Sequence, residues 1–201
     1  IKAHSRAVCC YPAEPGFVAA VAALIRPAYE RTAAAVPNKP PRLLFSAHGL
    51  PKKMVERGDP YQAQVEMTAA AVVQALAIPK LDWRICYQSR VGPLEWLGPY
   101  AEQEIARAGA DGVPLVVAPI AFVSEHSETL IELDVTYRDH ARKAGVPVYE
   151  RVPTVGTDPK FIAGLARLVR EALKRPATAA ADGGVRLCPP ASRRCAMAAS
   201  G

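Results

Sequence analysis

The 201-residue chain has no apolar run near the ~18–20 residues that a membrane-spanning helix needs. It has no Cys-x-x-Cys pair of the kind that zinc and redox sites favour, and no GxGxxG or glycine-rich phosphate loop. Aromatic residues make up only 6% of the chain and no basic stripe accompanies them, which argues against a nucleic-acid-binding module. No signal-peptide pattern is present, and because the chain opens on Ile1 rather than Met we expect a longer protein cut at its front.

Charge and cysteine content indicate the cellular compartment and the character of the C-terminal segment. The formal net charge is +6, and the stretch from Lys174 onward carries five basic residues against one acid. We expect that stretch to be a solvated terminus, with contact to an anionic membrane surface as the alternative. The five cysteines, an odd number without a secretory signal, favour free thiols in a reducing compartment. A reducing compartment favours a cytoplasmic protein, and the Ala- and Arg-rich composition suggests a bacterial source.

Apolar runs alternate with stretches of helical periodicity over most of the chain. Strands are predicted at 7–11, 42–47, 83–87, 115–119 and 146–149. Helices are predicted at 14–35, 59–76, 96–108, 124–143 and 158–173. This alternation predicts an α/β fold, a Rossmann-like parallel sheet with helices on both faces. The domain is expected to span 1–175, followed at 176–201 by a flexible linker (177–184) and an extended, cysteine-containing tail (185–201).

Polar residues fall just past the predicted strand ends, where ligands bind in parallel sheets. They are His48, Gln88, Ser89 and Ser124. A histidine on such a turn can serve as a ligand or a base, although a lone histidine is more often a partly buried structural residue.

An acidic group follows on the helix predicted at 124–143. Glu128 and Glu132 are four residues apart and share a face, with His126 and Glu125 at the start of the same element, whereas Asp134 should point elsewhere. Periodicity alone favours a solvated acidic face. The position just after a buried strand favours a functional one.

Three segments resemble the ferrochelatase family in order and spacing. They are SAHGLP at 46–51, YQSRVGPLEWLGP at 87–99 and FVSEHSETLIELD at 122–134. The resemblance covers roughly residues 8–173. It implies a chelatase-type fold and the C-terminal half of a bacterial-type protoporphyrin ferrochelatase, a lyase that inserts ferrous iron into protoporphyrin IX in haem biosynthesis.

The resemblance also implies roles for particular residues. His48 and Glu128 match the family's metal-binding pair, and His126 and Glu132 match its catalytic neighbours on a helix with a π-type stretch. Leu50, Val91 and Trp96 match positions that line the porphyrin pocket, although Trp96 could also be a core aromatic. We favour His48 as proton acceptor and Glu128 as metal ligand, with the reverse assignment as the alternative.

Two departures from the family pattern open alternatives. The first half of a ferrochelatase, which carries the opposite cleft wall, is not in this sequence. We therefore expect either that the sequence is a fragment or that a partner provides the missing wall, and in both cases the chain alone is expected to be inactive. One helical turn beyond Glu132, Thr136 stands where some relatives continue the acidic track. The alternatives are a chelatase for coproporphyrin or cobalt, or a non-catalytic porphyrin- or metal-binding fragment.

The tail raises a separate question about a cofactor. Some ferrochelatases bind a [2Fe–2S] cluster through C-terminal cysteines and one internal cysteine, and a cluster normally needs four thiolates. Here the tail offers Cys188 and Cys195, so Cys9 or Cys10 would have to join them. The alternative is a pair of free thiols in a mobile tail.

Overall fold

The computed structural model describes residues 5–175 and 179–198. In chain order its strands are β1 (Ala7–Val8), β2 (Arg42–His48), β3 (Trp83–Gln88), β4 (Leu115–Pro119), β5 (Tyr149–Arg151) and β6 (Ala179–Ala180). The α-helices are α1 (Pro15–Ala35), α2 (Lys52–Glu56), α3 (Tyr61–Leu76), α4 (Ala101–Asp111), α5 (Arg138–Lys143) and α6 (Pro159–Lys174). A π-helix, Glu128–Tyr137, runs directly into α5. Within the described ranges, every helix is too short or too polar to cross a membrane.

A four-stranded parallel sheet in the order β3-β2-β4-β5 forms the centre of the domain. Successive residues of β2 face opposite sides, so Leu43 and Phe45 pack with α1 and α3 while Leu44 packs with α4 and α5. Because both faces are covered, the strands are nearly continuous apolar runs. The predicted fold class, a parallel sheet with helices on both faces, is confirmed.

The register of the sheet brings three strand ends to one edge. His48, the last residue of β2, pairs with Gln88, the last residue of β3, and Ser46 pairs with Pro119 at the end of β4. The segments that leave these strands therefore start side by side.

The helix predicted at 96–108 is wrong at both ends. Trp96 instead pairs in extended conformation with Pro51, and α4 starts only at Ala101, after the Gly98–Pro99 pair. At the other end α4 runs through Gly109 and stops at the left-handed Gly112. Gly109 is needed for packing, because a Cβ there would approach the Ala144 carbonyl oxygen to 2.1 Å.

Three helices begin close to their predicted starts, because an acidic side chain near each start accepts a hydrogen bond from the first-turn backbone. Glu14 accepts a hydrogen bond from the Phe17 N–H at 2.7 Å to begin α1, and Asp158 does the same for α6 through the Lys160 N–H at 2.8 Å. Asp59 accepts from the Tyr61 N–H at 2.9 Å. The short helix α2 was not predicted, and the strand expected at 146–149 is displaced to Tyr149–Arg151.

The strand predicted at 7–11 lies outside the central sheet. Only Ala7–Val8 is strand, and it pairs in parallel with β6 from the chain's last segment. The described part of that segment, 179–198, thus differs from the flexible linker and extended tail that we expected. Arg167 of α6 binds Asp182 through two hydrogen bonds of 2.9 and 3.0 Å, which ties the segment to the domain. Residues 176–178 and 199–201 of the expected tail lie outside the described residues.

Candidate functional site

His48 stands at the end of the central strand with one ring nitrogen committed to the backbone. Its Nδ1 lies 2.6 Å from the Gly49 carbonyl oxygen, and since a carbonyl only accepts, Nδ1 carries the proton. Tyr61 donates its hydroxyl to the His48 carbonyl oxygen at 2.9 Å and fixes the backbone behind the ring. The remaining nitrogen, Nε2, points into the site toward Glu128.

Glu128, the first residue of the π-helix, faces that nitrogen. Its Oε2 lies 3.4 Å from His48 Nε2, and the two side chains are 32% and 40% exposed. A carboxylate oxygen and an imidazole lone pair at this distance both accept, so the arrangement is complete only with a proton or a cation between them. The pair is thus suited to bind a proton or a metal ion.

Glu132 lies deeper in the same site and is held far more firmly. Its carboxylate accepts from the Ser89 N–H at 3.0 Å, from Gln88 Nε2 at 3.1 Å and from the Tyr137 hydroxyl at 2.8 Å, and the Ser89 hydroxyl is close as well. Gln88 is completely buried and accepts from the Ser46 hydroxyl at 2.6 Å. The Ser89 hydroxyl also lies 3.4 Å from Glu128 Oε2, so it stands between the two carboxylates.

Glu125, which precedes the π-helix, holds the start of that helix in place. Glu125 accepts from Arg151 at 2.9 Å, from the Thr154 N–H at 3.0 Å and from the Thr129 hydroxyl at 2.7 Å. Burial alone would raise the pKa of Glu125, but these donors outweigh burial and lower it. Asp134 also binds Arg151, at 2.7 Å, and so points away from Glu128, as expected.

His126 does not touch His48. Its ring stacks on Phe122 at 5.7 Å between centroids, and Phe122 in turn lies edge-on to His48 at 6.5 Å. The His126 Nδ1 accepts a 3.3 Å hydrogen bond from the Glu128 N–H. His126 therefore supports the start of the π-helix from an exposed position at the mouth of the site.

The three predicted porphyrin-lining residues have different surroundings. Val91 is 71% exposed, Leu50 is half-buried against the core and Trp96 is only 8% exposed. The Trp96 ring lies over Gly49, where a Cβ would approach it to 3.0 Å, so the indole supports the turn that follows His48. The π-type stretch that the resemblance implied is present as Glu128–Tyr137.

The sequence reasoning missed Tyr137 and gave Gln88 and Ser89 no role beyond their place at a strand end. Tyr137 is five residues beyond Glu132. At α-helical spacing, its side chain would face away from that of Glu132. The implied π-type stretch was the one signal that pointed to it, because π-helical bonding joins residues five apart.

The cysteines form a separate group. Cys9 and Cys10, which follow β1, meet Cys188 and Cys195 of the final segment in a small buried cluster. Cys9 Sγ lies 3.3 Å from Cys10 Sγ, and Gln64 Nε2 lies 3.4 Å from Cys188 Sγ. Burial, followed by the neighbouring thiols of Cys9 and Cys188, raises the pKa of Cys10 strongly. All five cysteines are free thiols.

Fold and site together define a parallel α/β protein with an imidazole and two carboxylates at its strand ends. A family model for ferrochelatase matches residues 1–173. The ferrochelatase of Phenylobacterium zucineum (strain HLK1) is 54% identical over 195 residues, 96% of this chain and 54% of the relative. The ferrochelatase of Rickettsia bellii (strain OSU 85-389) is 44% identical over 193 residues, 94% of this chain and 52% of the relative. The chain belongs to the ferrochelatase family.

The chain spans about half the length of the curated relatives it matches, for example 48% of the ferrochelatase of Caulobacter vibrioides (strain NA1000 / CB15N), to which it is 52% identical over 170 residues. Among solved structures it is similar to that of CbiX, described as the terminal enzyme for sirohaem biosynthesis in denitrifying bacteria. That likeness covers 80% of this chain and 59% of the other, at 24% identity and a TM-score of 0.45.

Proposed function

We propose that the chain supplies the metal-handling wall of a ferrochelatase, which inserts ferrous iron into protoporphyrin IX to form haem. The observation that carries the proposal is the approach of His48 Nε2 to Glu128 Oε2, 3.4 Å apart at the strand ends of a ferrochelatase-family chain. Imidazole and carboxylate are ligands that suit Fe²⁺, and both groups are open enough to exchange a metal rather than retain it.

The reaction releases two pyrrole protons as one Fe²⁺ enters the ring, with no change in oxidation state. Because Nδ1 of His48 donates to the Gly49 carbonyl oxygen, Nε2 is free to accept a proton from a pyrrole N–H. A proton on Nε2 then lies against Glu128, beyond which come the Ser89 hydroxyl and Glu132. These groups form a polar path along which the protons leave. In our preferred assignment Glu128 also delivers the metal, and the reverse assignment exchanges the two roles.

The second wall of the cleft is proposed to come from the other half of the protein or from a partner chain. The π-helix and the loop after β3 present several exposed apolar side chains, among them Val91 (71%), Ile131 (61%) and Val135 (62%). Such side chains favour contact with an apolar ring or with another protein surface. Because the product has a large apolar ring, we also propose a cytoplasmic location with peripheral contact to the inner membrane. Cell fractionation would check that location.

The test is anaerobic metal insertion by the purified chain. Protoporphyrin is mixed with Fe²⁺, or with Zn²⁺ as an oxidation-safe surrogate, and the loss of porphyrin fluorescence is followed. Where turnover is seen, with the chain alone or after addition of the half that carries the opposite cleft wall, we expect His48→Ala to abolish it. Gln74→Ala, an exposed change on α3, is the control and should leave it unchanged. Parallel assays with coproporphyrin and Co²⁺ decide the substrate pair.

Two other outcomes are informative. Porphyrin binding without turnover, weakened by Trp96→Ala, would mean that the chain is a fragment which needs its other half for catalysis. If the wild type neither binds porphyrin nor inserts metal, the proposal is wrong.

We also propose that the four thiols of the cysteine cluster hold a [2Fe–2S] cluster. The number and type of side chains fit, because such a cluster takes four thiolates, and Cys9, Cys10, Cys188 and Cys195 are gathered in one place. When bound, the cluster would tie the final segment to the domain, and it can also carry one electron.

The cluster proposal is tested without an activity assay. Protein purified anaerobically should show visible absorption and about two irons and two sulfides per chain. Cys10→Ser should lose both signals, whereas Cys86→Ser, whose thiol is buried elsewhere, should keep them. Colourless, iron-free wild-type protein after reconstitution would leave four free thiols as the correct description.

A further inference from the structure

The two carboxylates of the site are held in very different ways. Each oxygen of Glu132 has two donors: the Ser89 N–H and the Tyr137 hydroxyl on Oε1, and Gln88 Nε2 and the Ser89 hydroxyl on Oε2. Among the described residues, the Glu128 carboxylate has only long side-chain contacts of 3.4 Å, to His48 and to the Ser89 hydroxyl. A carboxylate with all these donors satisfied stays in place, and one with long contacts is free to turn.

The π-helix is what brings Tyr137 onto Glu132. In an α-helix, residues five apart are separated by about 140° around the axis, so a side chain at 137 would face away from one at 132. The i→i+5 hydrogen bonding of a π-helix sets such residues on adjacent turns of one face. The observed 2.8 Å bond from the Tyr137 hydroxyl to Glu132 Oε1 follows from that geometry.

Tyr137 is also anchored so that it can serve as a fixed donor. Its side chain is 2% exposed and packs in the core layer between the sheet and helices α4 and α5. Burial, and next the bond to Glu132, raise the pKa of the Tyr137 phenol, so it keeps its proton at any physiological pH. Ser89 completes the arrangement, since its left-handed backbone (φ 63°) turns both its N–H and its hydroxyl toward Glu132.

We infer that Tyr137 is a positioning residue that locks Glu132 in place through the π-helix, so that Glu132 is the stationary carboxylate of the site and Glu128 the one that moves with the metal. This inference rests on the proposed function. It assigns the π-helix a specific task, which is to stack Glu128, Glu132 and Tyr137 on one face. It also adds to the predicted site a residue that never touches the metal.

The test compares Tyr137→Phe with Tyr149→Phe. The Tyr149 hydroxyl donates to the Leu133 carbonyl oxygen of the same π-helix at 2.8 Å but does not touch Glu132, so it controls for loss of a buried phenol bond. Zn²⁺ binding is measured by calorimetry across pH 5.5–8 on the full chain, with His48→Ala included. We expect Tyr137→Phe to weaken binding about tenfold and to alter its pH profile, as loss of an outer partner does, while Tyr149→Phe leaves both unchanged.

The outcomes separate the two claims. Equal effects of Tyr137→Phe and Tyr149→Phe, or no effect of either, would overturn the positioning role while leaving the site itself intact. Zn²⁺ binding that is absent, or that His48→Ala does not affect, would instead refute the metal-handling function. A crystal structure of Tyr137→Phe gives a readout independent of metal: Glu132 should leave its single position, and an unmoved Glu132 would refute the inference.

Discussion

The chain carries two groups of side chains of the kinds that bind metals, and they differ in exposure, charge and hydrogen bonding. The strand-end site of His48, Glu128 and Glu132 is half-exposed, charged and framed by fixed hydrogen-bond donors. The cysteine cluster is buried among apolar neighbours, and burial raises the pKa of Cys10 strongly. Metal sites that do chemistry keep an open position, while structural sites are closed. Under the proposed function, this contrast predicts that the first group releases its metal and that the second retains one.

The sharpest way to test this contrast is to separate activity from stability at Glu128. Glu128→Gln should lower the insertion rate by about 100-fold or more, because the amide can neither bind Fe²⁺ as a carboxylate nor accept a proton. The thermal midpoint should barely change, since the side chain is half-exposed and its contacts are long. Stopped-flow fluorescence and a thermal scan measure the two quantities.

The matched control for that prediction is Glu30→Gln, an exposed change on α1 that should alter neither quantity. A large drop in the thermal midpoint of Glu128→Gln would show that Glu128 is a structural residue and that the two regions are less different than described.

Local patterns were sufficient to predict the core of the fold. Buried strands such as 42–47 and 115–119 are unbroken apolar runs, and α6 has both an N-cap at Asp158 and an apolar face. The helix predicted at 96–108 failed because Trp96 and Leu97 fit helical spacing, although the Gly98–Pro99 pair that follows interrupts the backbone.

Long-range contacts could not be predicted in the same way. The final segment has the composition of a linker, and what orders it is pairing with β1 and a bond from Arg167 to Asp182. Those partners cannot be identified from local sequence. The strand-end position of His48 was predictable from periodicity, but its pairing with Glu128 came only from the family resemblance. Tyr137 was missed because helical spacing was taken as 3.6 residues per turn where the chain is π-helical.

A smaller effect is expected for the contact that attaches the final segment to the domain. Its loss should lower the stability of the protein without lowering the insertion rate. Arg167 binds Glu14, which is only 3% exposed, and Asp182 of the final segment. Arg167→Ala should lower the free energy of unfolding by about 2 kcal/mol, because Glu14 is left buried without its charge partner. Urea unfolding measures the change.

The insertion rate per folded molecule should stay at the wild-type value in Arg167→Ala, and Arg170→Ala, an exposed arginine on the same helix, should leave both stability and rate unaltered. Lost insertion in folded Arg167→Ala would mean that the final segment takes part in the site.

The last expected effect, which is absent at neutral pH, is the pH dependence of the metal-free cysteine cluster. The pKa values of Cys9, Cys10 and Cys188 are raised from 9.0 in the folded protein, chiefly by burial. In the unfolded chain these thiols ionise near 9, so the unfolded state gains from deprotonation while the folded state does not. Stability is therefore complete below about pH 8 and declines above 9, by at most about 1.4 kcal/mol per pH unit for each thiol. Cys10→Ala should flatten that decline in urea unfolding between pH 8 and 10, and His48→Ala should leave it unchanged. An unaltered slope in Cys10→Ala would show that the thiols ionise as readily in the folded protein as in the unfolded chain, and the closed character assigned to this region would be wrong.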